Sequence, residues 1–251
     1  MAAPTEYDRL HVVMVRTRNP LNIGAAARAM NNFGFSRLRV VKPYEPSFRE
    51  ARSAVGASSV LADAQQYQSV AEAVADCTLV VGTTSVDQRD LQHPLWPLEH
   101  GSQLIRKDLR SGRVAVLFGS EKVGLSNEDL SHCHWLMRIP TREEHGSMNL
   151  GQAVAVCLYE LSRGFQNGNA DAVYNSDQYP LASAGELERI TVLLLDALRA
   201  SGYLKPSSKA ASEAKVRRLV RRLNLPAEDA EVWLGIFRQI VWKVQSSSEP
   251  A

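Results

Sequence analysis

The sequence predicts an α/β protein, a mostly parallel sheet with helices on both faces, followed by a small all-α C-terminal domain. Three observations carry that reading. Over residues 1–163, short and nearly continuous runs of Val, Leu and Ile alternate with helical stretches, the pattern of strands buried on both faces. Three of those runs each pass into a glycine-bearing loop and then a helix. From residue 183 onward only helical periodicity remains.

The candidate strands are Leu10–Val15, Leu38–Val41, Leu79–Gly82, Val114–Phe118 and Trp135–Ile139, with helical stretches at Ile23–Phe33, Val70–Ala75 and Gln103–Leu109 between them. In the helix that closes this part, Leu150, Ala153, Val154, Cys157, Leu158 and Leu161 recur at i, i+3, i+4, i+7, i+8 and i+11, one apolar face. These elements set a first domain at residues 1–165. Residues 166–182, rich in Gly, Asn and Asp, read as a linker. The C-terminal domain, 183–251, opens with a capping box from Ser183 to Glu186. Leu187, Ile190, Leu194, Leu195 and Leu198 follow at helical spacing, and Gly202 is placed to end the helix. A second helix is expected from Ser208 to Leu223, with Val216, Leu219, Val220 and Leu223 on its apolar side. A third starts at Pro226, with Glu228, Asp229 and Glu231 suiting its positive end.

With 251 residues, 45% of them apolar and 22% charged, the chain can bury a substantial core and is globular rather than disordered. The formal charge of +2 is uneven: residues 183–251 hold 11 Lys and Arg against 8 Asp and Glu, a weak sign of an anionic partner. Three unpaired-looking cysteines, Cys77, Cys133 and Cys157, favour reduced thiols. The start MAAPTEYDRL has no secretory pattern, and no apolar run approaches the roughly 18 residues of a membrane span. A cytoplasmic protein with no membrane partner is expected.

In α/β proteins ligands bind where loops leave the carboxyl ends of strands, so the polar residues of those loops are the candidates. After the first strand, Asn19-Pro20-Leu21-Asn22-Ile23-Gly24 opens a helix at an alanine run, and Arg28 is expected about one turn in. An arginine there is a clamp for phosphate or for an oxygen acquiring charge, or else half of a surface ion pair. In Phe118-Gly119-Ser120-Glu121-Lys122-Val123-Gly124-Leu125-Ser126 the glycines permit positive φ or a near approach of backbone to ligand. Ser126 and Asp129 can cap the helix that follows, and Glu121 is either a ligand contact or a loop organiser. The third loop runs from Ile139-Pro140 to Ser147-Met148-Asn149-Leu150 and ends in a helix N-terminus; Ser147 and Asn149, taken as isolated residues, are helix caps favoured for local reasons. Gly82-Thr83-Thr84-Ser85 adds hydroxyls at the same sheet edge. His132-Cys133-His134 lacks a second half-site, so a packing or surface feature is the expectation and no metal is predicted. Lys215, Arg217, Arg218, Arg221 and Arg222 cluster on the second C-terminal helix, as a solvated face or as phosphate contacts.

Asn22, Gly24 and Arg28, the run Phe118 to Ser126, and the run Ile139 to Leu150 together resemble the three signature motifs of the SPOUT-class (SpoU/TrmH superfamily) RNA 2′-O-ribose methyltransferases, in order and spacing across residues 10–163. The appended helical region looks most like the bacterial TrmJ subfamily. The resemblance implies a deep trefoil knot in the C-terminal part of the α/β domain and a homodimer with each active site at the subunit interface. It also implies S-adenosylmethionine bound by Thr83, Thr84, Ser85, Gly119, Ile139, His145, Gly146, Ser147 and Met148. The implied reaction is ribose 2′-O-methylation of tRNA at nucleotide 32 of the anticodon loop. Arg28, Asn22, Glu121, Ser147 and Asn149 would form the catalytic set. Arg28, Lys215, Arg217, Arg218, Arg221 and Arg222 would meet RNA. The rivals are an rRNA 2′-O-methyltransferase, a base methyltransferase on a similar knot, and a non-catalytic RNA-binding protein on the same scaffold.

Overall fold

The computed structural model describes residues 5–53, 59–85, 92–142, 146–166, 179–204 and 209–246. In chain order the first half runs α1 (Glu6–Arg9), β1 (Leu10–Val15), α2 (Pro20–Asn32), β2 (Arg37–Val41), α3 (Glu45–Ser53), α4 (Ser59–Ala62), β3 (Gln65–Tyr67), α5 (Val70–Ala73) and β4 (Leu79–Thr83). It continues through β5 (Leu95–Pro97), α6 (Leu98–Leu109), β6 (Val114–Phe118), α7 (Asn127–Ser131), β7 (Trp135–Arg138) and α8 (Leu150–Gln166). Three helices follow: α9 (Ala184–Ala200), α10 (Lys209–Arg221) and α11 (Ala227–Ser246).

The strands form one seven-stranded sheet in the order β3-β2-β1-β6-β4-β7-β5, with every neighbouring pair parallel. Strand order decides where the site can be. The carboxyl ends of β1, β6, β4 and β7 stand side by side, so four loops far apart in sequence share one edge. One sheet face packs Val12, Met14, Val116 and Phe118 against Ile23 and Ala27 of α2, Ile105 of α6, and Val154 and Leu158 of α8. The other packs Val13, Val15, Val80 and Leu117 against Val70 of α5 and Leu130 of α7. Helices α2 and α8 approach closely because their contact is between small residues: a Cβ on Gly151 would lie 2.7 Å from that of Ala25. No described helix is long and apolar enough to cross a membrane.

Five strands stand where apolar runs mark them. The two without such runs are edge strands, β3 with polar Gln65 and Gln66 and β5 ending in Pro97. Helix α2 starts at Pro20, earlier than its apolar period suggests, because the Asn19 side chain accepts from the Leu21 amide (2.9 Å) and Pro20 fits the first helical turn. Arg28 is therefore more than two turns into the helix, not one.

The linker positions 167–178 lie outside the described residues. The helices beyond them are docked on the sheet domain. At the start of α9, whose capping box is formed as expected, the Ala184 amide donates to the Cys77 carbonyl (2.7 Å) and the Gly185 amide to that of Ala75 (2.9 Å). Leu187, Ile190, Val220, Ala230, Leu234 and Phe237 form their own apolar cluster among α9, α10 and α11.

This docking corrects the reading of the α10 arginines as an RNA-facing set. Arg221 is 1% exposed and donates to the Ala184 carbonyl (2.9 Å) and to Glu188 (3.3 Å). Arg217 donates through Nε to both Glu188 oxygens (3.1 and 3.0 Å) and through Nη1 to Ser131 Oγ (3.1 Å). Burial pulls the Arg221 pKa down to about 10, with Glu188 opposing, so the guanidinium stays charged at neutral pH. A buried charge needs a partner, and this pair closes the junction between α7, α9 and α10. Arg218 and Arg222 donate to the Gln92 side chain (2.7 Å) and carbonyl, respectively. Lys215 is exposed.

Candidate active site

The loop after β1 is fastened before it reaches α2. Arg16 adopts a left-handed backbone (φ 53°), and its guanidinium engages both carboxylate oxygens of the buried Asp129, one at 3.1 Å. Asp129 also accepts from the amide (2.7 Å) and hydroxyl (2.6 Å) of Ser126, closing the capping box of α7. Burial pushes the Asp129 carboxyl up, but the Arg16 and Ser126 hydrogen bonds outweigh it and hold the group below its ordinary value. The β1 and β6 loops are thus clamped together by a charged, bidentate contact.

The β6 loop folds back on itself. The Gly124 amide donates to the Ser120 carbonyl (2.8 Å), Gly124 has φ +66°, and a Cβ on Gly119 would lie 2.1 Å from the Gly124 carbonyl carbon. The close approach that requires glycine at 119 is made by the loop's own backbone. This hairpin-like closure presents Glu121 toward the β1 loop.

Glu121 accepts from the Arg18 amide (3.2 Å), the Asn19 amide (3.1 Å) and Asn22 Nδ2 (3.2 Å). Asn22 Oδ1 in turn accepts from Asn149 Nδ2 (2.8 Å), and Asn149 Oδ1 caps α8 by accepting from the Gly151 (2.9 Å) and Gln152 (3.3 Å) amides. Only one orientation of each amide satisfies this chain, because a carboxylate ends it on one side and helix N–H donors on the other. All three candidate motifs are therefore joined through one relay, Glu121–Asn22–Asn149. Burial pushes the Glu121 carboxyl up, yet the hydrogen bonds it accepts prevail and keep it below the usual range. It is an anion at neutral pH and a poor proton acceptor.

Beside Glu121 opens a cavity of about 460 Å³, within the range of small-molecule sites. Thr83, Thr84, Ser85, Gly119, Glu121, Ile139, Gly146, Ser147 and Met148 all line it. His145 lies outside the described residues. Thr83 Oγ1 donates to the Leu117 carbonyl (2.8 Å) and the Thr84 amide to that of Met137 (3.0 Å), which fixes the end of β4 between its neighbours. Asn22 and Asn149 stand behind Glu121 and are not part of the wall. Arg28 is exposed, is absent from the wall, and makes no hydrogen bond or ion pair among the described residues. With Leu21, Ala25 and Asn32 it forms the exposed stripe of α2.

Sequence reasoning missed Ser120, Lys122, Val123 and Thr141 as lining residues, although all lie in the loops it marked. It also missed the apolar wall of Leu125, Met137, Leu150 and Ala153, which carries no signal distinct from core. The triplet at 132–134 packs as expected. The Val80 amide donates to His134 Nδ1 (3.1 Å), burial pushes that imidazole down to about 3, and the Cys133 sulfur would be 2.9 Å from a Cβ on Gly82. Among the described residues no cluster of His, Cys, Asp and Glu could hold a metal ion.

The family model described as the SpoU rRNA Methylase family matches residues 9–159. The tRNA (cytidine/uridine-2′-O-)-methyltransferase TrmJ of Sodalis glossinidius is 32% identical over 245 residues, 96% of this chain and 93% of that protein. The protein of the same name from Pectobacterium atrosepticum is 34% identical over 239 residues, 93% of this chain and 97% of that one. The crystal structure of TrmJ from Z. mobilis ZM4 superposes with a TM-score of 0.78 at 32% identity, covering 95% of this chain and 99% of that chain.

Proposed function

The chain belongs to the SpoU methylase family, and on that premise we propose that it methylates a ribose 2′-oxygen of tRNA, at nucleotide 32 of the anticodon loop, with S-adenosylmethionine as donor. The observation that carries the reading is the relay from Glu121 through Asn22 to Asn149, which binds the three motif loops into one rim beside the cavity. The cavity suits the donor: it sets the hydroxyls of Thr84, Ser85 and Ser147 and the folded β6 backbone against apolar Leu125, Met137, Ile139 and Met148. Bound there, the donor supplies a methyl group already activated on a sulfonium. The family's knot would hold the β6 and β7 loops in place before substrate arrives.

The protein's remaining work is to place the ribose and to handle one proton. Glu121 accepts from the Arg18 and Asn19 amides of the β1 loop, from Asn22 of α2 and from its own amide, so its part is to hold the loop that receives the ribose. Its lowered pKa speaks for orientation rather than proton abstraction, and so against a carboxylate-based base methyltransferase. Arg28, with its forked guanidinium donors, would hold the neighbouring phosphate and stabilise charge developing on the 2′-oxygen, while phosphate or water takes the proton. Because Arg28 is exposed and outside its own cavity wall, we assign it to the site of a second copy in a homodimer. Exposed Leu21 on α2 and Tyr159 on α8 (79% and 53%) suit that contact. Lys215 and Arg222, both exposed, would supply salt-dependent RNA affinity.

The test is to incubate the protein with methyl-labelled donor and with tRNA or rRNA fragments, then locate the label by nuclease digestion and mass spectrometry. A 2′-O-methylnucleotide at position 32 is expected. Label on a base or on rRNA alone, or none despite donor binding, would assign the scaffold to one of its rivals.

A further inference from the structure

At the opposite end of the sheet from the catalytic loops, about 20 Å away by the rise of β1, the amino ends of β1, β2 and β6 border a second cavity of about 550 Å³. Four arginines line it, Arg9, Arg37, Arg39 and Arg113, against two carboxylates, Asp8 and Asp76. Their contacts divide them into a buried frame and an exposed pair with most donors unspent. Arg39 is buried and grips Asp76 with two bonds (2.6 and 2.8 Å), while Arg9 donates to the Leu109 carbonyl (3.0 Å) and that of Arg110. Arg113 spends one nitrogen on Asp76 (3.1 Å) and Arg37 only approaches Asp8 (3.8 Å); both side chains are 57% exposed. A guanidinium has five N–H donors, so both retain most of theirs.

A second observation comes from the cavity floor. His11 is 6% exposed, and neither of its ring nitrogens has a hydrogen-bond partner among the described residues. Arg39 Nε is unpartnered as well. Buried polar groups in native structures are nearly always satisfied, so orphans beneath a cleft with surplus positive charge need an explanation. Nothing in the methyl-transfer reading uses them.

We infer that this cleft is a second anion site, in which Arg37 and Arg113 grasp a phosphate group above His11. Forked donors at the start of β2 and just before β6, the strands on either side of β1, fit the oxygens of a phosphate, which a single lysine-type contact does not. The phosphate is that of an RNA backbone or of a small free anion. The RNA source rests on the proposed tRNA reading; the free-anion source does not.

The experiment compares the full chain with the double variant R37Q/R113Q and with a charge-matched control, R49Q/R163Q. Measured are tRNA affinity across a salt titration, inorganic phosphate binding by calorimetry, and S-adenosylmethionine affinity. For an RNA source, R37Q/R113Q should bind tRNA at least about tenfold more weakly, with the slope of log K against log salt reduced by about one to two, while the control keeps its slope. For a free anion, the unmodified chain should bind inorganic phosphate and the double variant should not, with tRNA affinity unchanged. If R37Q/R113Q matches the control in every titration, or the control weakens tRNA as much, the inference is overturned. Donor affinity reports the catalytic cavity separately, so failure here and failure of the methyltransferase reading are distinguishable.

Discussion

Replacing Asn22 with Asp changes one atom type in the relay and leaves its shape intact. In the native protein Asn22 Nδ2 donates to Glu121 at 3.2 Å, and its Oδ1 accepts from Asn149. In Asn22→Asp the second contact survives, but the first becomes two carboxylate oxygens facing each other. At that separation Coulomb repulsion is about 5 kcal/mol for an effective dielectric of about 20 and about 1.3 kcal/mol in bulk water. Asn22 is buried and Glu121 reaches the rim, so about 2 kcal/mol is expected at pH 7.5. For a chain of this size that is a fall of about 4–8 °C in melting midpoint. The repulsion raises the folded-state pKa of the pair above that of the unfolded carboxyls, near 4. The penalty is therefore complete above the raised value and shrinks as pH falls through it, when a shared proton restores an O–H···O contact. Calorimetric melting of both proteins at pH 7.5 and pH 5 measures this. A deficit that is absent at pH 7.5, or equal at both pH values, would refute the relay as the tie between the loops.

Three further outcomes follow from the same contacts. Gly119→Ala places a methyl 2.1 Å from backbone and should cost more than about 3 kcal/mol and abolish donor binding by calorimetry; retained affinity would mean that the β6 loop is not self-closed. Arg221→Met removes a buried cation that Glu188 and the Ala184 carbonyl depend on, so urea unfolding should show a loss of about 3 kcal/mol. The salt slope of tRNA binding should stay unchanged in that variant, whereas Lys215→Ala lowers it by about 0.7–0.9; the reverse pattern would restore Arg221 as an RNA contact. Arg28→Ala should leave the melting midpoint alone, since the side chain is exposed, yet reduce turnover by about 10²–10³. Near-full activity of Arg28→Lys would dismiss the forked-donor role.

What the sequence disclosed depended on the range of the interaction. Strand runs such as Val114–Phe118 and caps such as Ser126 with Asp129 are local, and they stand as read. Strand order is not local: nothing in the period of β6 says that it lies between β1 and β4. Asn22, Glu121 and Asn149 were each visible as polar residues in strand-end loops. Their joining spans 99 and 127 residues and is a property of the folded sheet alone. Arg217 and Arg221 misled for the same reason, because a basic i, i+4 pair looks like a solvated face until Glu188 of another helix is placed opposite it. Asn149 shows how the local explanation can be correct and incomplete: it is the cap of α8 and also the last link of the relay.

Whether the donor seats among these loops can be asked most directly by hydrogen–deuterium exchange with and without S-adenosylmethionine. Slower exchange confined to residues 83–85, 119–125, 139–141 and 146–150 is expected, since residues of those segments wall the cavity beside Glu121. Protection appearing instead at residues 9–11, 37–39 and 111–113, or nowhere under saturating donor, would contradict a single donor site formed by the loops after β4, β6 and β7.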